Sequence, residues 1–294
     1  MGSTLDGLKG IAVSRGSVEM VLKLPPLPKR KNLVHPLSMD SDELDIEAKR
    51  LMERIGQKMR WSFGACRTIA PLTLKINRLK KEKDVILIAH TYQTPDIVYG
   101  VADAVGDSYT LSKIARDAPQ SIILFSSVRF MAETAKILSP DKTVLHPSPE
   151  AGCSLSEGID ADDVRKLRAL HPGVPVACYI NTTAAVKAEC DVCVTSSNYL
   201  SIAENLPGDE LIFVPDRLMG QHLRTHLEGK KTVYLHEADC EVHAEFNTTS
   251  IQRQRREAQR RGIELRVLAH PECDADVLAA SDFVGSSERI LIEA

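Results

Sequence analysis

The sequence lacks an apolar run of the roughly 20 residues that a membrane-spanning helix needs. Its N-terminus lacks a charged head followed by an apolar core, so we expect no secretory signal and a cytoplasmic location. No charge of either sign dominates: 37 Lys and Arg face 40 Asp and Glu, and a net charge of −3 gives no general attraction to nucleic acid or anionic membrane. Seven cysteines, an odd number at scattered spacings, argue against a disulfide framework and leave metal ligands or buried thiols.

Three compact apolar runs, spaced by about ninety residues, dominate the pattern of the chain. The runs lie at 85–90, 174–180 and 265–270. Each run ends in a polar or aromatic residue, which is typical of a buried parallel strand whose carboxyl end carries functional groups. The repeat length corresponds to a whole small α/β domain and is too long for a solenoid unit.

Shorter words repeat together with these strands. The word DAVGDS at 103–108 returns as DVCVTSS at 191–197 and as DFVGSS at 282–287. Cys153 lies 63 residues after His90, and Cys240 lies 60 residues after Ile180. The alternation of strands and helices predicts an α/β fold with three homologous αβα domains, each with a parallel sheet, around a pseudo-threefold axis.

The predicted domains follow from the same pattern. They are an N-terminal extension at 1–69, repeats at 70–160 and 161–245, and a partial third repeat at 246–294. We expect residues 1–40, with a Pro-rich basic stretch at 23–31, to be disordered. A helix is predicted from Asp40–Ser41, a second at about 71–82, and another at 248–261. Cys66 lies in no recognisable motif, which favours a buried structural thiol.

Polar side chains follow the ends of the predicted strands, where parallel α/β units place their ligands. They are His90 and Tyr92, Tyr179 and Asn181, and His270 and Glu272. Ser108, Ser196 and Ser287 stand where the pattern predicts the start of a helix, next to the positive end of its dipole. A single such serine is usually only an N-cap, and a single histidine at a strand end is usually structural. Their equivalence across repeats favours a pocket for a small molecule with several negative groups.

Cys153 and Cys240 occupy matching ends of the first two repeats. A buried thiol is the default role of a single cysteine. The matching positions favour ligands of one shared centre, and three thiolates would suit an iron–sulfur cluster with one open iron. The Cys190–Cys193 pair is a single C-x-x-C inside a predicted strand, where the side chains do not converge as in a zinc site.

Seven words of the sequence closely resemble the quinolinate synthase family. They are AHTYQ at 89–93, VGDS at 105–108, FMAETAK at 130–136, EAGCS at 150–154, YINT at 179–182, TSSN at 195–198 and HPEC at 270–273. The resemblance covers about residues 70–287 in collinear order. It implies three αβα domains around a pseudo-threefold axis and the condensation of iminoaspartate with dihydroxyacetone phosphate to quinolinate, the precursor of NAD. It also implies a [4Fe–4S] cluster held by one cysteine from each domain, with an open iron as Lewis acid.

The resemblance assigns roles to individual residues. It implies that Cys153 and Cys240 are cluster ligands and that Tyr92, His243 and Glu272 transfer protons. The implied substrate-binding residues are His90, Ser108, Tyr179, Asn181, Ser196, His270 and Ser287. The family also implies an aspartate-oxidising flavoenzyme as partner, and neither nucleic acid nor membrane.

Three departures from the family pattern support an alternative. Thr91 stands where the family usually has Tyr, and Gly285-Ser-Ser-Glu-Arg289 replaces a Gly-Ser-Thr-Ser-Gly turn. The repeat spacing places a third cysteine at roughly position 330, so we expect a C-terminally incomplete chain whose third domain is truncated. Cys273 is a poor substitute, because it lies in the loop of the first strand of its repeat. The alternative is a cluster-less, non-catalytic homologue that binds a small anionic metabolite or a partner protein.

Overall fold

The computed structural model describes residues 11–12, 40–56 and 59–294. The rest of the predicted disordered segment lies outside the described residues. Ile11–Ala12 forms strand β1. The described chain divides into two compact units, one within residues 40–149 and the other comprising residues 150–294 with β1. Within the described ranges, no helix combines the length and apolarity needed to cross a membrane.

Two packed helices open the first unit. Helix α1, Ser41–Leu51, begins at the predicted place because the Asp40 side chain accepts from the backbone N–H of Asp42. A π-helical turn, Met52–Gly56, follows it. Helix α2, Phe63–Glu82, starts earlier than the predicted 71–82 and runs through Pro71. Cys66 is fully buried between the helices, as predicted for a structural thiol.

A four-stranded parallel sheet forms the rest of the first unit, in the order β3-β2-β4-β5. The strands are β2 Val85–His90, β3 Ala104–Gly106, β4 Ile122–Ser126 and β5 Thr143–Leu145. The helices are α3 Pro95–Gly100, α4 Ser108–Asp117 and α5 Arg129–Leu138. Ile88, Ile123 and Phe125 are fully buried, as expected of a sheet covered by helices.

The second unit repeats this topology with strands ordered β7-β6-β8-β9, and β1 adds an antiparallel edge to β7. The strands are β6 Val176–Tyr179, β7 Val192–Val194, β8 Glu210–Val214 and β9 Thr232–Leu235. The helices up to the end of β9 are α6 Ser154–Glu157, α7 Ala161–Leu170, α8 Ala184–Ala188, α9 Tyr199–Asn205 and α10 Arg217–His226. Two sheets with one strand order agree with the predicted α/β class and its parallel sheets.

A short parallel pair follows in the same unit. It consists of β10 Leu268–Ala269 and β11 Phe283–Val284, with helices α11 Glu241–Ala244, α12 Thr248–Arg260, α13 Ala275–Ala279 and α14 Ser287–Glu293. β10 is shorter than the predicted strand at 265–270 because its pairing with β11 covers only these two residues. The pseudo-threefold arrangement of the repeats stays a prediction.

The repeated aspartates have the same local structure three times. Each aspartate makes two hydrogen bonds to one residue in the first strand segment of its repeat. The aspartate N–H donates to the carbonyl of that residue, and the aspartate Oδ2 accepts its N–H. The pairs are Asp103 with Leu87 at 2.8 Å, Asp191 with Val176 at 2.8 Å and Asp282 with Val267 at 2.7 Å for the N–H to Oδ2 bond. A basic side chain from the helix before the first strand of each repeat pairs with the carboxylate. The three are Lys80 in α2, Arg168 in α7 and Arg255 in α12. The repeated words therefore fix how the first two strands of each repeat meet.

Candidate active site

The carboxylate of Glu272 is the centre of a polar cluster in the second unit. Glu272 lies just after β10 and is only 3% exposed. Its Oε2 atom accepts a hydrogen bond from the Tyr179 phenol at 3.2 Å and lies 3.0 Å from Nδ1 of His270. Nδ1 of His243 lies 3.9 Å from the same oxygen. The cluster therefore joins the end of β6, the end of β10 and helix α11 around one buried charge.

Cys153 and Cys240 have matching structural positions. Each is the N-cap of a four-residue helix, Cys153 of α6 and Cys240 of α11. Neither sulfur accepts a hydrogen bond from the backbone of its helix, but the nearby N–H groups of Leu155 and Ser156 act to lower the pKa of Cys153, and those of Val242 and His243 act to lower that of Cys240. Such N–H groups stabilise a thiolate at the start of a helix.

Burial nevertheless keeps both thiols protonated in the absence of a positive partner. It raises the pKa of Cys240 to about 11, and the Glu272 charge and Cys153 add to the effect against the N–H groups. Burial likewise raises the pKa of Cys153 above its ordinary value. Because ionisation of Cys153 acts on Cys240, the two sulfurs share one electrostatic environment. A bound cation would favour the thiolate form of both.

Cys240, His243 and Glu272 have the spacing of a metal-binding group. Their ligand atoms all lie within 4.8 Å of one another, and His243 Nδ1 is 3.0 Å from Cys240 Sγ. His243 is half-buried, and burial lowers its pKa, with the Glu272 charge opposing and His270 adding to the effect. A neutral imidazole is the form that binds a metal or accepts a proton.

Tyr179 is a protonated donor in this cluster. Burial, followed by the charges of Glu272 and Asp216, raises its pKa well above the ordinary value, and the Ser196 hydroxyl opposes the rise. Burial alone would also raise the pKa of Glu272, but the hydrogen bond and charge of His270 outweigh it and leave this pKa lowered. The pair therefore combines a neutral phenol with an ionised carboxylate, the forms needed to donate and to accept a proton.

Asp216 is a member of the cluster that the sequence analysis missed. It is fully buried at the start of α10, where Oδ1 accepts from the Met219 N–H at 2.7 Å. Its carboxyl group is an electrostatic neighbour of Glu272, and among the described residues Asp216 Oδ2 and Glu272 Oε1 are buried without a hydrogen-bond partner. Burial and the Glu272 charge raise the pKa of Asp216 to about 8, so one proton stays on Asp216. Its place just after the end of β8 was the available signal, because the same rule selected Tyr179.

A buried lysine holds the turn that carries Asn181. The Lys187 ammonium is 2% exposed and donates to the carbonyls of Ile180 and Thr182 and to the Thr182 hydroxyl. Asn181 lies between these two residues, half-buried. No sequence pattern marks Lys187 as buried, because a lysine in a short helix is normally exposed.

The three predicted serines differ in their local structure. Ser108 and Ser287 are the first residues of α4 and α14, whose N-caps are Asp107 and Ser286. Ser196 lies in the turn before α9, which begins only at Tyr199 because the Asn198 side chain accepts from the N–H of Thr195. The prediction that a helix starts at Ser196 was wrong by three residues, although the Ser196 hydroxyl acts to lower the pKa of Tyr179.

The first unit carries His90, Tyr92 and Ser108. His90 ends β2, and its Nδ1 accepts from the N–H of Tyr92 at 3.3 Å. Burial lowers the pKa of His90 to about 4, against the charge of Asp107, so the ring is neutral with its proton on Nε2. The N–H of Glu272 lies 3.4 Å from Nδ1 of His270 in the same i, i+2 relation. The backbone turns after the two histidines are therefore equivalent, but Nδ1 of His270 also lies 3.0 Å from Glu272 Oε2 and donates to it instead of accepting the N–H.

The five other cysteines are buried. Cys178 on β6 and Cys193 on β7 are register partners, and Cys190 is their neighbour. Cys273 packs in an apolar cluster with Ala269 and Val277. These surroundings suit structural thiols, whereas Cys153 and Cys240 are half-buried.

Comparisons with known proteins agree with the resemblance. A model of the family described as quinolinate synthetase A protein matches residues 74–294. The quinolinate synthase of Sinorhizobium medicae is 46% identical over 222 residues, which cover 76% of this chain and 60% of the relative. That of Caulobacter vibrioides is 45% identical over 225 residues, 75% of this chain and 60% of the relative. That of Clostridioides difficile is 44% identical over 220 residues, 75% of this chain and 70% of the relative.

The chain thus spans about 60% of the length of the first two relatives, and the matched part contains the Glu272 cluster and both half-buried cysteines. With a family model that covers residues 74–294 and relatives at this identity, the chain belongs to the quinolinate synthetase A family.

Proposed function

We propose that the chain carries the catalytic residues of a quinolinate synthase, which condenses iminoaspartate with dihydroxyacetone phosphate in NAD biosynthesis. The observation that carries the proposal is the buried Glu272 carboxylate, whose Oε2 is within 3.2 Å of both the Tyr179 phenol and His270. The condensation needs proton shifts, phosphate loss and two dehydrations. An ionised carboxylate beside a neutral phenol and two histidines provides acceptors and donors for such steps. The cytoplasmic location and the aspartate-oxidising flavoenzyme partner belong to the same proposal.

Glu272 is the proposed proton acceptor of the cluster. His270 and Tyr179 donate to the same oxygen, which fixes the carboxylate and keeps its lowered pKa. Neutral His243, at 3.9 Å from that oxygen, is placed to exchange a proton with substrate or with Glu272. Tyr92 has the corresponding role in the first unit. His90, Ser108, Asn181, Ser196 and Ser287 are proposed to bind the carboxylate and phosphate groups of the substrates.

The two half-buried cysteines fit thiolate ligation of a [4Fe–4S] cluster. Both sulfurs belong to the N-cap residue of a short helix, where nearby backbone N–H groups favour the thiolate form that ligates iron. Cys153 and Cys240 would hold the cluster, and its open iron supplies, when bound, a Lewis acid for carbonyl and carboxylate oxygens. Two thiolates are fewer than a cubane needs, and the other five cysteines are buried. A bound cubane therefore needs a third ligand besides these two thiolates.

The test is quinolinate formation after anaerobic reconstitution with iron and sulfide. It uses a longer chain, in which this sequence is extended at its C-terminus to include a third cysteine. Glu272→Gln keeps the shape of the side chain and removes its charge, so we expect at least a hundredfold loss of turnover. Glu241→Gln is the matched control, because Glu241 is exposed in α11 and lies outside the cluster. Unchanged turnover in Glu272→Gln would overturn the acid–base proposal. A reconstituted protein that neither binds iron nor makes quinolinate would favour the cluster-less, non-catalytic homologue.

A further inference from the structure

The phenol of Tyr92 is held by a short hydrogen-bond chain inside the first unit. Its oxygen lies 2.8 Å from Oγ of Ser127 and accepts the backbone N–H of Val128 at 3.1 Å. Ser127 Oγ in turn donates to the thioether sulfur of Met131. Ser127 and Val128 come directly after β4, and Met131 lies in the first turn of α5. These hydrogen bonds thus connect the end of β2 with the adjoining end of β4.

The two ends of this chain fix the direction of every bond in it. A backbone N–H can only donate, and a thioether sulfur can only accept. Val128 therefore donates to the Tyr92 oxygen, the phenol donates to Ser127, and Ser127 donates to Met131. In this chain of bonds the phenolic proton is directed at Ser127 Oγ.

Ser127 and Met131 are buried, whereas the Tyr92 side chain that they hold is half-exposed. Ser127 is 5% exposed and Met131 is 4% exposed, whereas Tyr92 is 53% exposed. The ring of His90 packs on the ring of Tyr92 with centroids 4.0 Å apart. A half-exposed side chain has more rotamer freedom than a buried one, and the buried serine and the histidine ring both restrict that of Tyr92.

We propose that Ser127 is a positioning residue for Tyr92, which orients the phenol and its proton for transfer to or from substrate. The inference rests on the proposed function for the role of Tyr92, but the hydrogen bond itself does not. Ser127 makes its other contact through its backbone, since its carbonyl lies 2.8 Å from Nε2 of His146. Truncation of its hydroxyl therefore leaves that contact in place.

The neighbouring residue offers a matched control. Ser126 is 7% exposed, ends β4 and makes no hydrogen bond to Tyr92. Ser127→Ala and Ser126→Ala thus remove the same hydroxyl from adjacent buried positions, and only the first breaks the chain. Ser127→Thr retains the hydroxyl and tests for rescue.

The experiment uses the 294-residue chain labelled with ¹³Cζ-tyrosine, which gives one resonance for each of its six tyrosines. The Tyr92 resonance is assigned by its loss in Tyr92→Phe. We expect this resonance alone to shift in Ser127→Ala, to stay in place in Ser126→Ala, and to return in Ser127→Thr. Met131→Leu, a volume-conserving change, should move the same resonance because the serine proton loses its acceptor. Met131→Leu also tests the hydrogen bonds from Tyr92 through Ser127 if Ser127→Ala does not fold.

An unmoved Tyr92 resonance in folded Ser127→Ala, or an equal shift in Ser126→Ala, would overturn the proposal. In the reconstituted longer chain, Ser127→Ala should lower kcat about tenfold with little change in KM, because a single hydrogen bond is lost. The spectrum needs no turnover. A shift of the resonance without any activity in the parent protein would therefore separate failure of the proposed function from failure of this inference.

Discussion

The phenol of Tyr179 and the carboxylate of Glu272 form a hydrogen bond of 3.2 Å across 93 positions of the chain. Tyr179 ends a strand of the four-stranded parallel core of its sheet, whereas Glu272 follows the first strand of the short parallel pair. Both side chains are buried, with 5% and 3% exposure. A carboxylate at such a depth is stable only with donors on its oxygens, so the bond supports both the packing and the charge.

Removal of the Tyr179 donor should therefore weaken the second unit. We expect Tyr179→Phe to lower the free energy of unfolding by about 1–3 kcal/mol, because a hydrogen bond to a charged group is lost in a buried site. Urea denaturation measures the change. Tyr234→Phe is the matched control, since the Tyr234 phenol bonds to Glu210 near the surface. An equal loss in both variants would contradict the special role of the buried pair.

Asp216 makes stability depend on pH in a definite direction. Its pKa rises from 3.8 to about 8 on folding, so its contribution is complete below pH 4 and disappears as the pH rises through 8. Asp216→Asn removes this titration and keeps the shape of the side chain. Relative to the parent chain, the variant should gain stability between pH 5 and pH 8 in urea denaturation series. Asp162→Asn, at an exposed position of α7, should show no such trend. A constant difference between Asp216→Asn and the parent chain would refute the raised pKa.

Iron binding should depend on both half-buried cysteines and not on Cys273. After anaerobic reconstitution, we expect this chain to hold a cluster at low occupancy, because two thiolates leave a cubane under-ligated. Cys153→Ser and Cys240→Ser should each reduce iron per chain and the visible thiolate-to-iron absorption to background. Cys273→Ala should change neither, since Cys273 packs against Ala269 and Val277. Full iron occupancy in the parent chain that falls in Cys273→Ala would mean that Cys273 is the third ligand.

The hydrogen bonds and ion pair of the repeated aspartates should contribute measurably to stability at Asp191, the aspartate of the second repeat. Asp191→Ala removes the acceptor of the Val176 N–H and the partner of Arg168, so we expect a loss of about 1–2 kcal/mol of unfolding free energy. A double-mutant cycle of Asp191→Ala with Arg168→Ala should give a coupling of about 0.5–1 kcal/mol for this half-exposed pair. The exposed Arg260–Glu257 pair should give less. Zero coupling at Arg168–Asp191 would show that the arginine acts through the Glu189 carbonyl alone.

The sequence by itself determined the α/β class, the positions of most strands and the family. These features depend on local apolar patterning and on residues close together along the chain, which a single sequence displays. The sequence pattern predicts α2 only over about 71–82, as a basic amphipathic helix. The helix instead starts at Phe63, where the Ser62 side chain accepts from the N–H of Ala65, and packing on α1 tolerates the proline inside it.

Only the tertiary structure decided which groups share a proton or a hydrogen bond. Asp216 beside Glu272, the buried Lys187 under its turn, and Ser127 beneath Tyr92 have no periodic or motif signal of their own. Each is defined by burial and by a partner on another segment, from 5 to 56 positions away in the chain. Removal from water shifts the pKa values of these groups and favours the hydrogen bonds that restrict their rotamers. Because this burial arises only when the chain folds, local sequence patterns do not display it.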